Sequence, residues 1–239
     1  MEYKDRNMAW KEIWNKKGMD IELPPYLADG YDLLTIEKYE KMVSEVIRPL
    51  NLKGTEHILE CGCGAGAFLL GVLKTHPKIK VAGIDYSPTL LKRARDQING
   101  DFFEADVTDL KFLDVESYDI SLSFGVIFYL SSEASALKHL LEMVRVTKYG
   151  GQIFIGEVPD ASKKHEAENI RRVSHQGVKK ISDQNLDHLY LEKGFFIQFA
   201  NENSLDIKII DHTKFELGDY QAAKYRYSVY LTKKAAKLI

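Results

Sequence analysis

The chain has 239 residues, of which 45% are hydrophobic and 28% are charged, a balance that excludes a disordered protein. Its 33 Lys and Arg residues and 35 acidic residues give a formal net charge of −2, so the bulk basic character of a nucleic-acid-binding protein is absent. The charged N-terminus lacks the apolar core of a signal peptide, and the longest apolar run, residues 120–130, is far shorter than a membrane span. With Cys61 and Cys63 as its only cysteines, the chain is expected to be cytoplasmic.

The predicted elements begin with helices and continue as alternating strands and helices. Apolar residues at helical spacing predict a helix over residues 33–50, and Ser87 followed by Pro88 predicts the start of another. Gly150 and Gly151 are expected to lead the chain into the fifth strand. The predicted strands are 57–61, 80–85, 101–105, 119–124, 152–158, 205–211 and 225–233, and the later helices are 67–75, 88–98, 134–147 and 195–203.

This order predicts an α/β fold with a doubly wound, mostly parallel seven-stranded sheet, helices on both faces, a C-terminal antiparallel hairpin and an N-terminal helical cover. We interpret residues 1–239 as a single domain. Residues 1–54 form the cover, residues 55–160 the cofactor-binding core, and residues 161–239 the acceptor-binding insertion and hairpin. An apolar stripe of Trp10, Ile13 and Trp14, together with the Pro-rich segment 23–31, is predicted to act as a lid. The alternative is a helix that only packs on the sheet.

A glycine-rich turn carries the strongest functional signal. Gly62, Gly64 and Gly66 lie between a predicted strand and helix, where glycine permits positive φ and a close approach of ligand to backbone. Such glycines also occur in simple tight turns. Asp85, 23 residues after Gly62 at the end of the next strand, favours a nucleoside site because its carboxylate can bind ribose hydroxyls. Asp106, after the third strand, is placed to meet an adenine amino group.

The segments ILECGCGAGAF, GIDYSP, FFEADVTDL, DISLSFGVIFYLSS and TKYGGQIFIGEV resemble, in order and spacing, the class I S-adenosylmethionine-dependent methyltransferases over residues 55–158. The resemblance implies S-adenosylmethionine as cofactor and S-adenosylhomocysteine as product. It implies a methionine site at Glu60 and the glycine loop, a ribose site at Asp85, adenine contacts from Tyr86, Asp106 and Val107, and a sulfonium site at Phe124 and Gly125. We add Trp14 to the cofactor site as part of the lid.

The expected reaction is in-line methyl transfer to an oxygen or nitrogen of a small, possibly anionic, metabolite. Many members of the family carry histidines where this chain has Phe128 and Tyr129, so no base can be inherited there. Candidate catalytic residues are His188, Tyr129 and His165, with His175 as a further histidine. No metal site is expected, because Cys61 and Cys63 alone cannot complete a zinc shell.

The segment 163–180 contains six Lys and Arg residues and two acidic residues, and it follows the fifth strand, where the family binds its acceptors. Arg171, Arg172, Lys179 and Tyr190 are therefore candidate acceptor ligands. The alternative is a solvated basic helix face.

Two other classes of function stay open at this point. An NAD(P)-dependent oxidoreductase would use the same loop and Asp85, and Tyr220 with Lys224 matches the spacing of a short-chain dehydrogenase pair. The turn before the last strand is the wrong place for that pair. A non-catalytic nucleoside-binding protein is the other alternative. We expect a small-molecule partner, no nucleic acid and no membrane, and the sequence leaves the oligomeric state open.

Overall fold

The computed structural model describes residues 3–174 and 187–235, in which seven strands form one sheet. The strand order is β3-β2-β1-β4-β5-β7-β6. Strands β1 to β5 are parallel, and β7 runs antiparallel to both β5 and β6. The predicted fold class, including the C-terminal hairpin, is therefore confirmed. The strands are β1 His57–Cys61, β2 Lys80–Asp85, β3 Asp101–Glu104, β4 Tyr118–Phe124, β5 Thr147–Pro159, β6 Leu205–Asp211 and β7 Arg226–Lys233.

Side-chain caps fix where several helices begin. The Ser87 hydroxyl accepts a hydrogen bond from the Leu90 N–H at 3.4 Å, and Thr35 and Ser132 cap their helices in the same way. The helices are α1 Tyr3–Met19, α2 Pro25–Ala28, α3 Ile36–Ile47, α4 Ala67–Thr75, α5 Pro88–Gln97, α6 Glu133–Val146, α7 Lys164–Ser174 and α8 Lys193–Glu202.

Two hydrophobic layers cover the sheet. Helices α3, α4 and α5 pack on one face, and α6 and α8 pack on the other, as parallel strands buried on both faces require. A third, smaller cluster joins α1 to the rest of the molecule through Trp10, Trp14, Ala28, Ala65 and Leu90. Within the described residues, no helix has the length and apolar character needed to cross a bilayer.

Two predicted boundaries were wrong. Helix α3 ends at Ile47, and residues Arg48–Leu50 form a 3-10 turn, because Pro49 has no N–H to continue the α-helical hydrogen bonds. Strand β5 begins at Thr147 rather than at residue 152. The Gly150–Gly151 pair lies inside it, and Gly150 has φ +77°. A register shift against β4 absorbs the irregularity.

Candidate functional site

A cavity of about 130 Å³ lies at the carboxyl ends of β1, β2 and β4, where open α/β sheets bind ligands. Residues of the N-terminal cover, among them Trp10, Asp29 and Tyr31, form part of its lining. Most of the residues predicted to bind the cofactor line this cavity: Trp14, Glu60, Gly62, Gly64, Asp85, Tyr86, Asp106, Val107, Phe124 and Gly125. Gly66 lies at the N-cap of α4 with φ +85°.

The glycine loop turns sharply between β1 and α4. The N–H groups of Gly62 and Cys63 both donate to the Ile84 carbonyl, at 2.6 and 2.8 Å. Gly62 has φ +84°, and a Cβ there would lie 2.4 Å from the Val126 Cγ2 atom. Only glycine fits this position, which brings the backbone of the loop to the edge of the cavity.

Asp85 ties the end of β2 to this loop. Its Oδ2 accepts from the Gly64 N–H at 2.9 Å, and its Oδ1 accepts from the Ser87 N–H at 2.8 Å. Burial raises the pKa of Asp85 to about 6, against the lowering effect of these hydrogen bonds. Each carboxylate oxygen keeps a second lone pair for a ligand. Asp106 is exposed two residues beyond β3, and its Oδ1 accepts from the backbone and hydroxyl of Thr108.

Glu60 places a second carboxylate in the cavity. Its side chain is 2% exposed, and its Oε2 atom has no hydrogen-bond partner among the described residues. Burial raises the pKa of Glu60 well above its ordinary value, and the charges of Asp29 and Asp85 raise it further. Since a buried polar atom without a partner is costly, this oxygen is suited to a ligand with a donor or a positive charge.

Asp29 supplies a third carboxylate, which the sequence analysis missed. It lies after α2 in the cover and accepts from the N–H groups of Ala65 and Ala67, at 2.6 and 3.0 Å. Burial raises the pKa of Asp29 to about 7, although these two hydrogen bonds lower it. A Cβ on Gly64 would lie 2.2 Å from the Asp29 Oδ1 atom. The Asp-Gly pair at residues 29 and 30 was the only signal, and it is typical of a turn.

Aromatic side chains of α1 close the cavity from above. The Trp10 and Trp14 rings contact Tyr129 edge-on, with centroids 4.6 and 5.3 Å away. Helix α1 is fixed to α5 by the Thr89 hydroxyl, which donates to the Asn15 carbonyl at 2.8 Å. The cover thus places Trp10 and Trp14 in the lining of the cavity.

The candidate catalytic residues separate into two groups. Tyr129 lines the cavity, and the His188 ring lies 5.4 Å from it and 4.6 Å from the Phe128 ring. His165 is exposed on α7, where its Nδ1 lies 3.3 Å from Asn169. The fold therefore brings Tyr129 and His188 together and leaves His165 apart from them.

The candidate acceptor ligands of the basic segment do not line the cavity within the described residues. Arg172 is exposed and donates to the Asn169 Oδ1 at 2.9 Å. Arg171 is partly buried and lies close enough to Tyr225 to lower the pKa of that hydroxyl, which burial raises to about 12. The Tyr190 ring lies 5.6 Å from the Lys164 Nζ. Lys179 and His175 lie outside the described residues.

The cysteine pair and the Tyr220–Lys224 pair, which suggested a metal site and a dehydrogenase, are part of the packed structure. Cys61 and Cys63 are buried and free, and burial raises the pKa of both thiols. Tyr220 precedes the 3-10 turn Gln221–Lys224, and its hydroxyl donates to Glu157. Across residues 3–174 and 187–235, no group of three metal-ligating side chains converges.

Comparison with known proteins agrees with this geometry. A family model described as "Methyltransferase domain" matches residues 59–155. The ubiquinone/menaquinone biosynthesis C-methyltransferase of Bdellovibrio bacteriovorus is 28% identical over 134 residues, covering 54% of this chain and 55% of that protein. The tRNA (guanine-N(7)-)-methyltransferase of Halalkalibacterium halodurans is 35% identical over 79 residues, covering 33% of this chain and 32% of that protein. The chain thus spans about half, or less, of these two relatives.

Among solved structures, the fold is similar to that of phosphoethanolamine N-methyltransferase 1 from Haemonchus contortus, in complex with phosphoethanolamine and S-adenosylhomocysteine. The TM-score is 0.69 at 14% identity, and the match covers 100% of this chain and 51% of that one. The family match and the fold agree with the motif order in the sequence. Residues 59–155 are thus similar to a methyltransferase domain, which confirms the resemblance to the class I S-adenosylmethionine-dependent methyltransferases carried by the sequence motifs.

Proposed function

We propose that the protein transfers the methyl group of S-adenosylmethionine to an oxygen or nitrogen of a small, anionic metabolite. The observation that carries this proposal is the set of three carboxylates, from Asp29, Glu60 and Asp85, around one closed cavity. Burial disfavours the charged forms of all three, and repulsion between the carboxylates adds to this effect at Asp29 and Glu60. A ligand with an ammonium and a sulfonium group relieves that repulsion.

The same arrangement disfavours a dinucleotide. In Rossmann-type dinucleotide sites, the helix after the glycine loop offers its N-terminal N–H groups to a pyrophosphate. Here Asp29 of the cover already occupies the N–H groups of Ala65 and Ala67. A pyrophosphate would also meet the carboxylate of Glu60. These contacts argue against the NAD(P)-dependent alternative.

The residues of the cavity have distinct proposed roles toward the cofactor. Glu60 and Asp29 would hold the ammonium of its methionine part, and Asp85 would bind the ribose hydroxyls. Following the family resemblance, Tyr86, Asp106 and Val107 would contact adenine, and Phe124 and Gly125 would border the sulfonium. When bound, the cofactor supplies an activated methyl group on positively charged sulfur. The protein then has to orient the acceptor and exclude water.

The aromatic lining of the cavity supports a small acceptor. Trp10 and Trp14 contact Tyr129, and these three rings border the cavity within the part of the chain that the structure describes. Several relatives carry tRNA methyltransferase names, but they match only 33–41% of this chain. The Haemonchus contortus protein, by its description, binds phosphoethanolamine, a small phosphate-bearing amine. We propose an acceptor of that general kind.

A base is required only for some acceptors. A neutral hydroxyl must lose its proton, whereas a carboxylate or phosphate oxygen attacks as it is, and so does an unprotonated amine. His188, whose ring lies edge-on to that of Tyr129, is the proposed base if the acceptor is a hydroxyl. Arg171, Arg172 and Lys179 remain proposed ligands for the charged end of the acceptor.

The test is the formation of S-adenosylhomocysteine with a panel of small phosphates and carboxylates, compared with bulk tRNA. We expect turnover with members of the small-molecule panel. Asp85→Asn should abolish turnover, whereas Asp96→Asn, on the exposed side of α5, should leave it unchanged. Turnover with tRNA alone, falling steeply with salt, would contradict the small-acceptor proposal.

A further inference from the structure

A buried network of polar side chains lies at the carboxyl end of β5, next to the cavity but outside the cofactor site. At its centre is Glu157, whose side chain is fully buried. Glu157 accepts from the Tyr220 hydroxyl and forms an ion pair with Arg226. The His212 Nδ1 atom lies 3.0 Å from the other carboxylate oxygen. Burial lowers the pKa of His212 to about 3, so this histidine is neutral at pH 7.

The backbone at Glu157 is strained. It has φ +65°, a conformation that residues other than glycine rarely adopt. The pairing of β5 with β7 also shifts register between Ile155 and Val158. Strained residues and β-bulges concentrate near functional sites, where they re-aim a side chain. Here the irregular backbone directs the carboxylate toward Arg226 and Tyr220.

Arg226 has bonding capacity that this network does not use. Its side chain is 11% exposed, and its Nη1 donates to the Tyr220 hydroxyl at 3.0 Å. Its guanidinium carbon lies 4.9 Å from the Phe128 ring centroid and 5.6 Å from that of Tyr225. The Nε atom is buried and has no hydrogen-bond partner among the described residues. A structural ion pair with Glu157 does not account for this buried, unsatisfied donor.

Arg226 is joined to the cavity through aromatic contacts: its guanidinium packs on the Phe128 ring, whose centroid lies 4.3 Å from that of Tyr129, a cavity residue. Its pKa is lowered by burial and raised by the hydroxyls of Tyr31 and Tyr129, both of which line the cavity. The Tyr31 hydroxyl lies 2.9 Å from where a Cβ on Gly125 would be. Arg226 is therefore near Tyr31 and Tyr129, although it is not itself among the residues that line the cavity.

We infer that Arg226 binds an oxyanion of the methyl acceptor, a carboxylate or a phosphate, through its unpartnered Nε–H, and that Glu157 and Tyr220 position its guanidinium. This inference rests on the proposed function and assigns its acceptor site. Hydrogen bonds from guanidinium to such oxyanions are charge-assisted and often bidentate. The rings of Phe128 and Tyr225 keep the guanidinium plane in place for that contact.

The experiment follows the Nε–H resonances of the full-length protein labelled with ¹⁵N-arginine and saturated with S-adenosylhomocysteine. Sodium phosphate and sodium acetate are added separately at constant ionic strength. We expect the Arg226 signal, identified by its disappearance in Arg226→Lys, to shift saturably with one of the two anions. The anion that saturates distinguishes a phosphate acceptor from a carboxylate acceptor. The Arg48 signal, from an exposed arginine that pairs with Glu45, is the internal control.

Two variants distinguish a role in positioning the Arg226 guanidinium from a role in the stability of the fold. Glu157→Gln and Tyr220→Phe should each weaken anion binding by at least tenfold, while the affinity for S-adenosylhomocysteine changes less than twofold. An Arg226 signal that does not respond to either anion, or that shifts no more than the Arg48 signal, would overturn the inference. The proposed function fails separately, if S-adenosylhomocysteine itself does not bind the unmodified protein.

Discussion

Cofactor binding should release protons, because the cavity holds carboxylates that are partly protonated before a cation arrives. Asp29 has the clearest shift, with a pKa of about 7. Asp85 and Glu60 face the same cavity; the charge of Asp85 raises the pKa of Asp29 further, and that of Arg93 lowers it. A positively charged ligand stabilises the ionised form of Asp29, so its pKa must fall when the ligand binds.

The size of the effect follows from linkage. If the pKa of Asp29 falls from about 7 to below ~5, the apparent Kd for S-adenosylhomocysteine decreases about tenfold between pH 6 and pH 8. Close to half a proton should be released per molecule bound at pH 7, by the same relation. Because Asp29 keeps some accessible surface, solvent screening makes tenfold an upper value.

The assay is isothermal titration calorimetry in two buffers of different ionisation enthalpy, repeated from pH 6 to pH 8. Asp29→Asn should flatten the pH dependence and reduce proton release, since asparagine keeps one oxygen acceptor but cannot ionise. Asp32→Asn is the matched control, because Asp32 is exposed and pairs with Lys17. Equal proton release by the wild type and Asp29→Asn would refute the role given to Asp29.

Three further predictions concern stability and closure. Without cofactor, the raised folded-state pKa values of Asp29 and Asp85 mean that the folded protein holds protons which the unfolded chain has lost above about pH 4. This contribution to stability falls by about 4 kcal/mol from pH 5 to pH 8, whereas the lowered pKa values of the buried His139 and His212 act in the opposite direction. The effect of Asp29 is therefore isolated as the Tm of the wild type minus that of Asp29→Asn, which should fall from pH 5 to pH 8; a difference that rises with pH would contradict this. Gly62→Ala should lower the free energy of unfolding by about 1–3 kcal/mol because Gly62 has a positive φ, and it should also weaken S-adenosylhomocysteine binding. The control is Gly194→Ala, which has open space around the added methyl group and should change neither quantity in the same melting and binding assays. Trp10→Ala should raise the Kd for S-adenosylhomocysteine about tenfold in calorimetry, through lost apolar contact, and an unchanged Kd would show that the cover does not close over the ligand.

Local signals explain what the sequence could predict. The spacing of glycines in the loop and the alternation of apolar residues in β1 and β2 depend on neighbours in the chain, and both strands have the predicted bounds. Asp85 was placed correctly in the cavity because it ends the strand next to the loop. The capping of α5 by Ser87 likewise depends on residues three positions apart.

The missed features depend on contacts between distant segments. Asp29 meets the backbone of Ala65 across 36 positions in the chain, and nothing in the segment around it distinguishes a loop-binding aspartate from a turn aspartate. Glu157 lies in an apolar strand pattern, and its positive φ is set by the pairing of β5 with β7. Neither helical nor strand periodicity records such a partner.

The most direct test of the account is calorimetric titration of the cofactor-free protein with S-adenosylmethionine, S-adenosylhomocysteine and NADH. We predict one site that binds the first two ligands, no detectable heat of binding with NADH, and a weaker affinity for both bound ligands in Asp85→Asn. Saturable binding of NADH, with no response to S-adenosylmethionine or S-adenosylhomocysteine, would contradict the assignment of the cavity to a cationic nucleoside.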